Sequence, residues 1–170
     1  LRCITYTFFW QCISKKVMIQ HYFKFLFFKL NATNQHVVHS PFLFAMVCFC
    51  FYNKAWKSKK FKPWKSKKHN LVAIAILQQL HLFAKKAAVD FQIDPPKVIH
   101  TKSKTLAQWI KELTIEDEPH ITLIDNLQLQ RDTWAAFRDS SGYVLLDLYF
   151  YGIIIHRPQQ TTETFFLKVF

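Results

Sequence analysis

Glycine is nearly absent from this chain. Gly142 and Gly152 are the two glycines among 170 residues, so none precedes Gly142. Loops that cradle phosphates or nucleotide cofactors depend on glycine, because its backbone adopts left-handed dihedrals freely and lets a ligand approach closely. The sequence therefore excludes a glycine-rich nucleotide-binding loop before residue 142.

Acidic residues are missing from the first half of the chain. No Asp or Glu precedes Asp90, whereas residues 1–89 carry 15 Lys and Arg. Residues 90–170 carry 8 basic and 11 acidic side chains, so the net charge of +12 comes entirely from the first half. Such a basic segment attracts phosphates or anionic lipid.

Cysteine is too sparse for a disulfide framework and is wrongly spaced for a zinc site. Cys3, Cys12, Cys48 and Cys50 contain no C-x-x-C pair. On a helix, Cys48 and Cys50 would face opposite sides, because two residues correspond to about 200° of rotation. We therefore expect buried apolar thiols in a reduced chain and no bound metal.

Export and membrane-spanning signals are also lacking. The first residues do not follow the basic, apolar and small-residue order of a signal peptide. The longest uninterrupted apolar run, residues 41–52, is shorter than the roughly 20 residues that span a bilayer. We expect a cytoplasmic protein without a transmembrane span. Because the chain begins with Leu1, either it is a fragment or residues 1–17 precede a natural start at Met18.

Hydrophobic periodicity predicts a helical first part and an α/β second part. Ser40 and Pro41 are typical of an N-cap and the first residue of a helix, and Asn70 is a candidate N-cap for a later helix. Helices are predicted over residues 18–30, 41–52, 71–89, 106–113 and 131–138. Strands are predicted over residues 98–99, 120–124, 143–150, 152–156 and 164–170, with a bulge or tight bend at Gly152.

A short duplication contains most of the lysines. Trp56-Lys57-Ser58-Lys59-Lys60 recurs eight residues later as Trp64-Lys65-Ser66-Lys67-Lys68. Lysines interleaved with aromatic side chains can bind nucleic acid by phosphate contact and base stacking, or a membrane surface. A solvated basic helix or linker explains the same pattern. The candidate residues for binding nucleic acid, another anion or an acidic partner are Trp56, Lys57, Lys59, Lys60, Trp64, Lys65, Lys67 and Lys68.

Two stretches resemble a group of bacterial class I S-adenosylmethionine-dependent methyltransferase-like proteins. Residues 36–44, HVVHSPFLF, look like the H-x-x-HSPF-x-F motif of that group, and the tail from Leu146 to Phe170 is similar to its final strands. Residues 124–127 resemble a late strand that ends in an acidic pair, with Asn126 in place of the second acid. Gln128 stands where a His is common.

The resemblance implies an incomplete Rossmann-like methyltransferase sheet with antiparallel C-terminal strands, preceded by helices. We expect residues 1–69 to form a basic, aromatic, helical segment and residues 70–170 the methyltransferase-like domain. The expected cofactor is S-adenosylmethionine, with Asp125 and Asn126 lining its pocket and an unknown methyl acceptor. The glycine-rich turn of the family is absent, and residues 68–120 are too few for the missing strands. This predicts a truncated member that is degenerate or weakly active.

Two further motifs have simpler interpretations. Asp94-Pro95-Pro96 begins like the signature of amino-methyltransferases that act on nucleic-acid bases, but Lys97 replaces the aromatic that stacks on the base. We interpret it as a helix stop. His36 and His39 could share a metal, but no third ligand lies near them in sequence, so a capping or hydrogen-bonding role is favoured.

Overall fold

The computed structural model of the chain describes residues 20, 22–33, 35–53, 66–101, 105–112, 118–157 and 161–169. Helices and a five-stranded mixed sheet make up an α/β structure. The chain divides into two compact units, Leu1–Ala32 and Thr33–Phe170. The boundary predicted between residues 69 and 70 falls inside a helix of the second unit and stays a prediction.

The first unit contains helix α1, residues 22–31. Its last turn is closed by the side-chain amide of Asn31, which donates to the carbonyl of Phe27 at 2.9 Å. The backbone N–H of Ala32 donates to the carbonyl of Phe28 at 2.7 Å. These bonds satisfy carbonyls that a helix end leaves without partners. The helix predicted over residues 18–30 is confirmed where the structure describes it.

Helix α2, Pro41–Phe51, begins as the sequence predicts. Ser40 has extended backbone angles, its hydroxyl accepts the N–H of Leu43 at 3.5 Å, and Pro41 occupies the first turn. Cys50 is buried and burial raises the pKa of its thiol, while Cys48 on the same helix is half-buried. Cys50 is thus a buried thiol, as predicted; Cys3 and Cys12 lie outside the described residues.

Helix α3, Ser66–Asp90, starts before the predicted N-cap. Asn70 is an interior residue of this helix, because the preceding lysines are good helix formers and extend it toward Ser66. One stripe of α3 is buried, and it comprises Val72, Ile76, Leu80, Phe83 and Ala87. Phe83 meets Phe42 of α2 edge-on, with ring centroids 5.3 Å apart. α3 is therefore a core-packing helix. The periodicity of the sequence predicts a stripe that includes Leu71 and Ile74, and this is wrong, because these two side chains are 61% and 49% exposed.

Part of α3 also has the length and composition of a membrane span. Among the described residues, Asn70–Asp90 is the helical segment long and apolar enough to cross a bilayer. Its buried stripe packs within the protein, and a core helix of this length passes the same test.

Strands β1 (Lys97–His100), β2 (His120–Ile124), β3 (Val144–Asp147), β4 (Gly152–His156) and β5 (Thr164–Phe166) form one sheet. Their order is β1-β2-β4-β3-β5. β1 is parallel to β2, β4 is antiparallel to both β2 and β3, and β5 is parallel to β3. The antiparallel pairing of β4 with β3 agrees with the predicted C-terminal strands, whereas the last strand, β5, is parallel to β3 and ends at Phe166.

Both faces of the central strands are buried. Helices α4 (Leu106–Glu112) and α5 (Arg131–Ser140) cover one face through a single cluster. The cluster comprises Leu106, Trp109, Ile124, Leu127, Trp134, Phe137, Leu145 and Ile154. Ile121 and Leu123, whose side chains point to the opposite face of β2, are also fully buried. Such two-sided burial explains why β2 is an apolar run apart from His120 and Thr122.

The turn between β3 and β4 differs from the prediction. The strand predicted over residues 143–150 ends at Asp147, and the chain reverses over residues 148–151. Gly152 is the first residue of β4, whereas Tyr149 has the positive φ of 70°. The predicted tight bend between two β runs is present, but it lies just before Gly152, and polar contacts to Asp147 hold the non-glycine residue Tyr149 in the turn conformation.

The C-terminal strand is tied to the start of the second unit. Thr33 donates its N–H to Phe166 at 2.8 Å and accepts the N–H of Lys168 at 2.8 Å. The hydroxyl of Tyr52, just after α2, donates to the carbonyl of Lys168 at 2.8 Å. Burial and the neighbouring Cys48 raise the pKa of Tyr52 to about 12, so it donates across the physiological range.

Candidate functional site

A histidine and a carboxylate meet where the two parallel strands end. His100 is the last residue of β1, and Asp125 directly follows β2. The Nε2 atom of His100 lies 2.7 Å from Oδ2 of Asp125, and the side chains are 16% and 12% exposed. Ligands of α/β sheets collect beyond the carboxyl ends of the strands, so this pair occupies the expected place for a site.

Tyr151 completes a small polar cluster with this pair. It lies immediately before β4, and its side chain is fully buried. Burial raises the pKa of its phenol, and the negative charge of Asp125 raises it further. Tyr151 therefore remains a neutral hydroxyl beside the Asp125 carboxylate at physiological pH.

The loop that carries Asp125 is held by hydrogen bonds on both sides. Gln130 donates from its side-chain amide to the carbonyl of Asp125 at 3.2 Å and accepts the N–H of Leu106 at the start of α4. The N–H of Leu127 donates to the carbonyl of Phe150 at 2.9 Å in the β3–β4 turn. Asp125 thus sits on a preorganised loop.

Two buried acceptors of this loop have no hydrogen-bond partner among the described residues. They are Oδ1 of Asp125 and the side-chain carbonyl Oε1 of Gln128. An acceptor left without a donor costs about 1–3 kcal/mol, and more when it is charged. The chemistry of these atoms suits a ligand that donates hydrogen bonds, such as a pair of hydroxyls or an amine.

The structure separates the two residues predicted to line a cofactor pocket. Asp125 is partly buried within the polar cluster. Asn126 is exposed, has the left-handed φ of 53°, and its side chain makes no capping bond to the short 3-10 helix Leu127–Leu129. Asn126 therefore turns the chain after β2, while the buried acceptors without a partner among the described residues belong to Asp125 and Gln128.

The predicted basic site falls mostly outside the described residues. This applies to Trp56, Lys57, Lys59, Lys60, Trp64 and Lys65. The backbone of Lys67 and Lys68 belongs to the first turns of α3. The binding role of this segment stays a prediction.

Sequence reasoning missed His100, Tyr151 and Gln130. His100 ends a four-residue strand with no motif around it, and 25 positions separate it from Asp125. The available signal was its position: a polar residue at the end of a strand that could pair in parallel with residues 120–124. Parallel pairing brings the two strand ends together, and the sequence does not specify which strands pair.

Among the described residues, no three His, Cys, Asp or Glu side chains come together as metal ligands. His36 lies in a single-turn 3-10 helix, Gln35–Val37, and His39 directly precedes the Ser40 cap. No protein-family model matches the chain, and searches of curated proteins and of solved structures find no match.

Proposed function

We propose that this chain is a shortened class I methyltransferase-like protein that binds S-adenosylmethionine or its demethylated product weakly beside Asp125. The observation that carries the proposal is the buried Oδ1 atom of Asp125 at the carboxyl end of β2, which has no hydrogen-bond partner in the part of the chain that the structure describes. The antiparallel strand β4 between β2 and β3 supports it, because antiparallel C-terminal strands are what the family resemblance implies.

The residues present fit part of such a cofactor. Asp125 Oδ1 and Gln128 Oε1 would hold its donor groups, namely the ribose hydroxyls or the amine. The glycine-rich turn is missing before Gly142, so no loop of that kind approaches the rest of the molecule. Weak binding follows, since part of the usual set of contacts is lost. Bound S-adenosylmethionine would supply an electrophilic methyl group.

The chain itself would contribute a proton acceptor for the methyl acceptor. When Nε2 of His100 donates to the carboxylate of Asp125, the lone pair of the imidazole resides on Nδ1. Nδ1 can then accept the proton of a hydroxyl group that attacks a methyl group. Asp125 would fix the orientation and tautomer of His100 in this role.

Cofactor binding is tested by calorimetric titration of the folded full chain with S-adenosylmethionine and its demethylated product. We expect micromolar dissociation constants for the parent chain. Asp125→Asn should weaken binding about tenfold or more, because it replaces a charged acceptor with a neutral one. Asp139→Asn, which changes an exposed carboxylate outside the site, should leave the affinity unchanged.

Either of two results would overturn this proposal. Absence of binding by a chain that circular dichroism shows to be folded removes the cofactor, and equal affinity of Asp125→Asn removes the site. In the first case, nucleic-acid binding by the lysines of residues 54–68 becomes the leading function. Steep weakening of oligonucleotide binding with added salt would identify it.

The role of His100 is tested with His100→Gln, whose amide can still donate to Asp125. We expect its affinity for the demethylated product to stay close to that of the parent. Transfer of a labelled methyl group to a panel of alcohols and phenols should fall by about 10²–10⁴-fold, the usual contribution of a general base. Equal transfer rates for the parent and the variant would rule out the proton-acceptor role.

A further inference from the structure

Helix α1 exposes a continuous apolar stripe. Its members occupy positions i, i+1, i+4, i+5 and i+8, which an α-helix places within an arc of about 140°. They are Tyr22, Phe23, Leu26, Phe27 and Leu30, and their exposed fractions run from 37% to 83%. Phe25, which lies about 60° outside this arc, is buried. Five large apolar side chains on one solvent-facing arc are typical of a binding surface.

Positive charge borders this stripe and no negative charge lies near it in sequence. Lys24 and Lys29 fall at the two borders of the arc, because Lys24 lies about 60° beyond Phe27 and Lys29 about 20° beyond Tyr22. The ammonium group of Lys29 lies 5.8 Å from the centre of the Phe25 ring, within the same helix. Residues 1–89 contain no Asp or Glu. The surface therefore combines exposed aromatic side chains with a purely basic border.

We propose that α1 docks on the surface of a membrane that contains anionic lipids. Aromatic and leucine side chains would enter the boundary between headgroups and acyl chains, and the two lysines would extend to lipid phosphates. Stable attachment to a membrane surface requires both an apolar and an electrostatic contribution, and α1 supplies the two together. The charge pattern favours this occupant over an apolar groove of a protein, which would offer the lysines no partners.

The proposal is tested by sedimentation of the full chain with vesicles of phosphatidylcholine, with and without phosphatidylglycerol. We expect the chain to bind the anionic vesicles. Phe23→Ser/Phe27→Ser should weaken binding at least about tenfold, through loss of buried apolar surface. Lys24→Gln/Lys29→Gln should weaken it about fivefold for each lysine, and on the anionic vesicles alone.

A matched control removes exposed apolar side chains elsewhere. Val89 and Leu129 are 78% and 69% exposed. We expect Val89→Ser/Leu129→Ser to bind vesicles as the parent chain does. Equal binding by the Phe23→Ser/Phe27→Ser chain would overturn the proposal. The proposal would also be overturned if that double substitution converted a dimer to a monomer and left vesicle binding unchanged. The stripe would then be an interface between two copies of the chain.

Hydrogen exchange of the parent chain provides a second measurement that does not depend on any variant folding. Anionic vesicles should slow exchange of the backbone amides of residues 22–31. Protection of residues 54–68 without protection of residues 22–31 would assign binding to the lysine segment and overturn the role of α1.

Discussion

Arg131→Gln should lower the free energy of unfolding by about 3–5 kcal/mol, because it leaves the buried carboxylate of Asp147 without its charged partner. Asp147 is fully buried, and its Oδ2 atom accepts from Nη1 of Arg131 at 2.5 Å. The side chain of Arg131 is 30% exposed, whereas that of Asp147 is not exposed at all. Water therefore cannot easily replace the guanidinium as the partner of the carboxylate.

The same guanidinium organises the turn between β3 and β4. Nη2 of Arg131 donates to the carbonyl of Tyr149 at 2.7 Å, and Cζ lies 4.6 Å from the centre of the Tyr149 ring. Oδ1 of Asp147 accepts the N–H of Tyr149 at 2.8 Å. Together these contacts stabilise the positive φ of Tyr149, a conformation that costs a non-glycine residue of order 1–3 kcal/mol.

Urea unfolding of the parent and variant chains measures this effect. Arg138→Gln is the matched control, because Arg138 pairs with Asp139 at the exposed end of α5 and should change the unfolding free energy by less than about 1 kcal/mol. Asp147→Asn should be destabilising too, and the double variant should show a coupling energy of about 0.5–3 kcal/mol. Equal stability of Arg131→Gln and Arg138→Gln would refute this account of the turn.

Gly152→Ala should lower the free energy of unfolding by about 1–3 kcal/mol, because the added methyl group would overpack the core. A Cβ atom at this position would lie 2.9 Å from two ring carbons of Trp134 and 3.3 Å from Cδ2 of Leu127. Trp134 and Leu127 are themselves buried and belong to the cluster under α5, so neither has free space to move into.

The second glycine of the chain supplies the control for this substitution. A Cβ atom on Gly142 would have no neighbour within 4 Å, and its φ is not positive. Gly142→Ala should therefore change the unfolding free energy by no more than about 0.5 kcal/mol. In a Trp134→Phe background, Gly152→Ala should cost less, since the smaller ring relieves the contact. An equal cost in both backgrounds would mean that the strain arises elsewhere.

The elements that the sequence predicted well are those fixed by local chemistry. Ser40 and Pro41 fix the start of α2, because capping and the fixed φ of proline act within one turn. The largely apolar run His120–Ile124 predicted β2 at its observed bounds. The polar residue that follows it, Asp125, was placed at the carboxyl end of that strand for the same reason.

The predictions that failed depended on contacts between distant residues. The strand predicted through residue 150 ends at Asp147 because Arg131, 16 positions earlier, binds the carboxylate there. Gly152 was assigned to the bend for its backbone freedom, whereas the structure requires it for lack of a side chain beside Trp134. Local patterns contain neither of these constraints.

The sequence by itself determined an α/β chain with a basic, acid-free first half, no glycine-rich loop before residue 142, and Asp125 at the end of a buried strand. Composition and short-range periodicity are sufficient for those properties. The tertiary structure decided that β1 lies beside β2, that His100 therefore meets Asp125, and that Tyr22, Phe23 and Phe27 face solvent. Strand order and exposure depend on which distant surfaces bury one another, and one-dimensional patterns do not specify that choice.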